Sequence, residues 1–163
     1  MAVEVERKFL VVGDGWKDLV ESSAHFGQGY LAASDNCLVR VRVGQTQAWL
    51  TLKGRDQEST QTDSSEGGAL TRLEFEYEIP VSQGRQMLAE LTYAALEKTR
   101  YFLKSATYAW TVDVFLGRHT GLVLLEIEGP GVEALAPADL PSWVGQEVSH
   151  DPQYANANLA LKP

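Results

Sequence analysis

Charge is sorted by strand face along most of this chain, and that sorting limits what the chain can fold into. Alternation of period two marks about eight strands: Val3–Val11, His25–Ala32, Cys37–Gly44, Gln47–Gly54, Thr71–Ile79, Glu97–Lys104, Tyr108–Phe115 and Leu122–Gly129. Successive side chains of a strand point to opposite faces. In the first strand Glu4, Glu6 and Lys8 share one face, while Val3, Val5 and Phe9 share the other. Arg40 and Arg42 oppose Val39, Val41 and Val43, and Thr51 and Lys53 oppose Leu50 and Leu52. Arg72, Glu74, Glu76 and Glu78 oppose Leu73, Phe75, Tyr77 and Ile79. Lys98 and Arg100 share a face, and Glu126 and Glu128 oppose Leu125 and Ile127.

Two architectures satisfy this alternation: a sandwich with a charged exterior, or a barrel with charge inside. Solvated strand faces mix signs and carry Ser, Thr and Gln. Here basic residues recur as R-x-R and K-x-R pairs and acids as E-x-E pairs on separate strands. The segregation weighs against the sandwich but leaves both open; the second reading is an α+β, predominantly β chain, a closed eight-stranded antiparallel β-barrel with a charged lumen and helices packed outside. Seven of the 14 Lys and Arg residues would then face the lumen: Lys8, Arg40, Arg42, Lys53, Arg72, Lys98 and Arg100. Glu4, Glu6, Glu74, Glu76, Glu78, Asp113, Glu126 and Glu128 would join them. So many charges cannot be buried dry, so the lumen must hold water, metal ions or a charged ligand. Arginine and lysine bind phosphate oxygens, and clustered carboxylates ligate hard divalent ions, which suits a polyphosphate accompanied by metal.

The remaining features set bounds. A length of 163 residues fits one domain, residues 1–163, and the single cysteine, Cys37, excludes an internal disulfide. The reading is a cytoplasmic chain without leader or membrane span, acting as monomer or homodimer. The net charge of -8 argues against a surface built for nucleic acid or anionic membrane. It does not exclude a polyanion inside, because what counts there is which side chains face the lumen. No glycine-rich phosphate loop is present, and His25, His119 and His150 lack metal spacing. Helices are expected at Asp14–Ser22, Ser82–Leu96, Ala138–Gly145 and Pro152–Leu161, and a long polar loop at Arg55–Ala69, either a lid or a solvated hairpin end. Trp16, Trp110 and Trp143 are expected to seal helix-to-barrel contacts, while Trp49 shares parity with Lys53 and can reach the lumen mouth.

The order of these motifs resembles the CYTH superfamily, the triphosphate tunnel metalloenzymes. Glu4-x-Glu6-x-Lys8 is similar to the family's E-x-E-x-K signature. Gly29-Tyr30-Leu31, Arg40-x-Arg42, Thr51-x-Lys53, Arg72-x-Glu74-x-Glu76, Lys98-x-Arg100, Trp110-x-Val112-Asp113 and Glu126-x-Glu128 follow it. Trp143-x-Gly145-x-Glu147-Val148 and Tyr154-x-Asn156-x-x-Leu159 resemble its short bacterial members. The resemblance implies metal-dependent hydrolysis of a linear triphosphate, first of all inorganic tripolyphosphate, with Mg²⁺ or Mn²⁺, two ions, as cofactor. Thiamine triphosphate hydrolysis and the cyclisation of ATP by class IV-type adenylate cyclases are alternatives, and a non-catalytic polyphosphate-binding module is another. By resemblance Lys8, Arg40, Arg42, Lys53, Arg72, Lys98 and Arg100 would bind substrate. Glu4, Glu6, Glu74, Glu76, Asp113, Glu126 and Glu128 would hold metal, Asp113 alternatively orienting an arginine. Lys8 and Tyr30 would form a catalytic pair, although Tyr30 is equally readable as a structural tyrosine.

Overall fold

The computed structural model describes residues 3–56 and 69–162. The strands are β1 (Val3–Val11), β2 (Val20–Ala33), β3 (Cys37–Val43), β4 (Ala48–Asp56) and β5 (Leu70–Ile79), then β6 (Ala94–Leu103), β7 (Ala109–Phe115), β8 (Val123–Glu128) and β9 (Val144–Glu147). They form one sheet in the order β5-β4-β3-β2-β6-β7-β8-β1-β9, with β5 also paired to β1. Every pairing is antiparallel, and the β1–β5 ladder, Val3↔Leu73 through Glu6↔Leu70, closes eight strands into a ring. The expected charged-lumen tunnel is therefore the observed architecture. The Arg55–Ala69 loop, expected as a lid or hairpin end, falls largely on residues 57–68, outside the described residues.

β1 takes three partners because its two edges are used unequally. β8 lies along residues 6–10, β5 along residues 3–6, and β9 pairs with Phe9 and Val11. β9 falls where a helix was expected over Ala138–Gly145. Only Pro137–Asp139 turns there, as one 3₁₀ turn, and the chain then extends. A Cβ at Gly145 would stand 3.0 Å from the Leu10 carbonyl, so glycine lets β9 lie close to β1.

Other expected helices are shorter for similar reasons. Asp14–Ser22 contains a five-residue 3₁₀ turn, Gly15–Leu19, and from Val20 the chain is already β2. Helix α1 runs Val81–Glu90 rather than Ser82–Leu96, leaving Leu91 62% exposed beyond its end while Ala94 opens β6. α1 packs outside the ring, with Val81, Met87 and Leu88 against Val41, Val43 and Ala48. Gly27 makes room for it, since a Cβ there would meet Leu88 at 2.8 Å.

The outward faces of β1, β7 and β8 form a second apolar layer. Phe9, Val112, Leu125 and Ile127 are buried there with Trp16, Val132 and Trp143, and Trp110 stacks edge-on with Trp143 at 5.9 Å. The third cluster is inside. Tyr30, Leu96, Phe115 and Leu124 share strand parity with the charged residues, yet they pack together with Val148, Leu159 and Ala160. Leu159 and Ala160 belong to helix α2 (Asn156–Leu161), which lies against one end of the ring rather than on its outer wall. Along β8 the lumen side thus passes from Leu124 to Glu126 to Glu128, from an apolar capped end to a charged one.

Candidate active site

A cavity of about 330 Å³ occupies the middle of the ring. Arg40, Arg42, Lys53, Arg72 and Arg100 supply its positive wall, and Glu4, Glu6, Glu74, Glu76, Glu126 and Glu128 its negative one. Alternation alone brings these together, because all arrive from inward positions of six strands, β1, β3, β4, β5, β6 and β8. Glu78, on the same face of β5, is exposed.

The charges neutralise one another in pairs. Lys53 Nζ lies 3.0 Å from Glu4 and 3.1 Å from Glu74. Arg72 spans Glu4 and Glu6, at 2.9 Å to each. Arg40 reaches Glu76 at 3.2 Å and Glu74 at 3.6 Å, and Arg42 reaches Glu76 at 3.4 Å. Arg100 donates to Glu126 at 2.7 Å and to both oxygens of Asp113. The Nε atoms of Arg40 and Arg42 are buried without a partner among the described residues.

Proton affinities follow these pairings. Burial raises Glu4, but Lys53 and Arg72 overcome it and hold the carboxyl well below its usual range. Glu6 is pushed up, first by burial and then by the charges of Glu126 and Glu4. Glu128 rises to about 7 through burial and the carboxylates Glu4, Glu6 and Glu126. Glu74 rises to about 7 through burial and a hydrogen bond shared with Glu4. Against burial, Arg100 and Lys8 hold Glu126 well below the carboxylate norm. Burial and the facing Arg40 and Arg100 lower Arg42 to about 10.

Other expected residues stand further in. Lys8 and Tyr30 line a smaller adjoining cavity of about 120 Å³, near the capped end. Lys8 Nζ donates to the Tyr154 carbonyl at 3.3 Å and lies 3.6 Å from Glu126. The Tyr30 hydroxyl accepts from Gln28 Nε2 at 2.8 Å, and burial pushes its pKa up to about 12. Among the described residues no hydrogen bond joins Lys8 to Tyr30. Lys98 and Asp113 are each 1% exposed and lie behind Arg100 rather than on the cavity wall. Burial and Arg100 lower Lys98 to about 8.

Two uncharged residues on the inward faces, Thr51 and Gln28, support the wall from behind and were not among the expected site residues, although Thr51 shares the face of Lys53. Thr51 is fully buried, accepting from Arg40 at 3.1 Å and donating to Glu76 at 2.9 Å. Gln28, also fully buried, holds Tyr30. Both share parity with chosen neighbours, so the pattern contained them, but neither carries charge. Among the described residues no three acidic, histidine or cysteine side chains are gathered as a ready-made metal site. The carboxylates are instead held by arginine and lysine.

The sequence matches the CYTH domain over residues 2–150. The chain belongs to the CYTH family. A protein of Acetivibrio thermocellus named inorganic triphosphatase is 40% identical to it, over 100% of this chain and 96% of that protein. One of Nitrosomonas europaea with the same name is 35% identical, over 97% of each. A crystal structure described as that of the inorganic triphosphatase NE1496 superposes with a TM-score of 0.64 at 32% identity, covering 100% of this chain and 97% of the other. A protein of Pyrococcus horikoshii, 18% identical with a TM-score of 0.54, covers 80% of this chain and 83% of its own, and shares the fold. The CYTH ring thus explains the charge sorting as the wall of a tunnel. No helix among the described residues is long and apolar enough to cross a membrane.

Proposed function

We propose that this CYTH protein is a triphosphatase that hydrolyses inorganic tripolyphosphate to pyrophosphate and phosphate with Mg²⁺ or Mn²⁺. The observation that carries this reading is the cavity wall: five cations and six carboxylates around about 330 Å³. The names of the two curated relatives support the same activity. A linear triphosphate fits such a wall because its oxygens can take over the cations that the carboxylates now hold. Arg40, Arg42, Lys53, Arg72 and Arg100 would grip it, the arginines in forked pairs.

The carboxylates that this exchange releases fit a hard divalent cation. Glu6 and Glu128 are raised in part by their acidic neighbours, a repulsion that a cation between them would relieve. Glu4, Glu6, Glu126 and Glu128 would hold one ion, and Glu74 and Glu76 a second. When bound, such ions neutralise phosphate oxygens and acidify a coordinated water. The chain's own part is positioning and charge stabilisation, which dominate phosphoryl transfer. Lys8 and Tyr30, sharing the inner cavity, would hold the terminal phosphate and orient the water. Tyr30 is neutral at pH 7 and can still donate its own proton in a hydrogen bond. Asp113 acts by fixing Arg100, with Lys98 buried behind it.

The test is phosphate release from tripolyphosphate, ATP and thiamine triphosphate, with Mg²⁺ or Mn²⁺ and after chelation. Metal-dependent turnover led by tripolyphosphate supports the reading. Tight binding without turnover would make the protein a polyphosphate-binding module instead. A second reading, hydrolysis of an organic triphosphate, draws on one observation at the uncapped mouth. Phe26, Trp49 and Phe102 line a further cavity there, which shares Arg42, Glu76 and Arg100 with the tunnel.

A further inference from the structure

α2 contributes a single side chain to the charged cavity, Asn156. The same residue lines the inner cavity that holds Lys8 and Tyr30, so it stands where the two meet. Its Oδ1 is buried without a hydrogen-bond partner, and its Nδ2 makes no hydrogen bond among the described residues. A buried amide oxygen without a partner is costly, and an apolar residue of the same size would avoid that cost; the Nδ2 donor on the same amide is left uncommitted.

The placement of this amide is built into the fold. Lys8 Nζ bonds the carbonyl of Tyr154, two residues before Asn156. At the far end of α2, Arg118 donates to the Ala160 carbonyl and His119 Nε2 bonds the Leu159 carbonyl at 2.6 Å. Leu159 and Ala160 are buried in the apolar cap. α2 is thus held from both sides, and Asn156 is aimed into a chamber whose other polar groups nearly all carry charge.

We infer that Asn156 is a substrate-contacting residue whose amide donates to the terminal phosphate of the triphosphate at the capped end of the tunnel. This rests on the triphosphatase reading and adds to it a neutral donor supplied by the closing helix. The amide suits that place because it recognises phosphate oxygen without adding a sixth cation to the wall. A contact at the capped end also means that the chain of phosphates enters end-on from the uncapped mouth, its terminal unit innermost.

The experiment compares tripolyphosphate turnover with Mg²⁺ in the wild type, Asn156→Leu, Asn156→Ala and Asn156→Asp. Melting temperatures are measured with and without tripolyphosphate plus Mg²⁺. The inference expects Leu and Ala to lower kcat/KM about ten- to a hundredfold, chiefly through KM, and to shrink the ligand-induced rise in melting temperature. Asp, which points a carboxylate at phosphate, should lose more than Leu. Two results overturn the inference: kcat/KM within about twofold of wild type in Leu and Ala, whatever the melting temperature, or Asp working as well as Asn, which would assign the side chain to cation or water. If the wild type releases phosphate from no triphosphate, the triphosphatase reading fails as well, so the two failures are distinct.

Discussion

Lys98 donates to Asp113 at 2.6 Å with both side chains 1% exposed, and the same carboxylate receives Arg100 at 2.7 Å. One buried anion therefore fixes two cations, of which Arg100 reaches the cavity. Asp113→Asn leaves those cations facing a neutral amide. It should destabilise the protein by about 3–5 kcal/mol in urea unfolding and lower tripolyphosphate turnover where the fold survives. The double variant Lys98→Met/Asp113→Leu should recover stability but not activity, because Arg100 then keeps only Glu126. Recovery of both would show that Asp113 serves the fold alone.

Glu128 should behave in the opposite way. Its carboxyl is raised to about 7 by burial and by Glu4, Glu6 and Glu126, and it makes no ion pair among the described residues. Glu128→Gln removes a repelled charge from the rim of the ligand-free tunnel; Glu128 is exposed and solvent screens most of that repulsion, so the melting temperature should rise by no more than roughly 2–4 °C, corresponding to about 1 kcal/mol. The same variant should weaken the response of activity to Mg²⁺. A lowered melting temperature would mean that the carboxylate has an attractive partner and that this charge balance is mistaken.

The tunnel wall was legible because it obeys one rule, inward parity, in six strands at once. Arg40, Glu76 and Glu126 each appeared at the expected position of the expected face. The capped end was not legible, because Leu96, Phe115 and Leu124 share that parity with Lys98, Asp113 and Glu126, and alternation cannot say where along a strand the lumen stops. Asn156 lies on a six-residue helix too short to show periodicity. Lys8 and Tyr30 were paired by resemblance, whereas their hydrogen bonds go to Tyr154 and Gln28. β9 was missed because four residues held by one neighbour leave little pattern. Arg7 breaks the apolar face of β1, and its reason, Glu147, lies on that missed strand.

That pair gives a pH prediction. Arg7 meets Glu147 through two bonds, at 2.9 and 2.8 Å, and Ser149 donates to the same carboxylate at 2.8 Å. Burial raises the Glu147 carboxyl, but the hydrogen bonds from Arg7 and Ser149 outweigh it and leave it below its ordinary 4.5. A depressed carboxyl adds stability that is full above the unfolded value and is lost as pH falls through the folded one. Glu147→Gln should therefore cost about 1–3 kcal/mol at pH 7, and the gap to wild type should narrow below pH 4.5. A gap constant from pH 7 to 3 would rule out the charge as its source.

Arg42 supplies the last prediction, because its support is aromatic. Its guanidinium lies 5.2 Å from the centre of the Phe26 ring and 5.0 Å from that of Trp49, and the two rings meet edge-on at 6.0 Å. Its carboxylate contact, Glu76 at 3.4 Å, is longer than those of Arg72 and Arg100. The rings therefore hold the cation toward the cavity while leaving its hydrogen bonds available to phosphate. Trp49→Ala removes one cation–π contact of about 0.5–2 kcal/mol. It should raise KM for tripolyphosphate by about three- to tenfold with kcat little changed. ATP and thiamine triphosphate, tested beside it, separate the two substrate readings. An equal loss for all three confines Trp49 to supporting Arg42, whereas a loss at least tenfold larger for the organic substrates shows that the mouth stacks their rings.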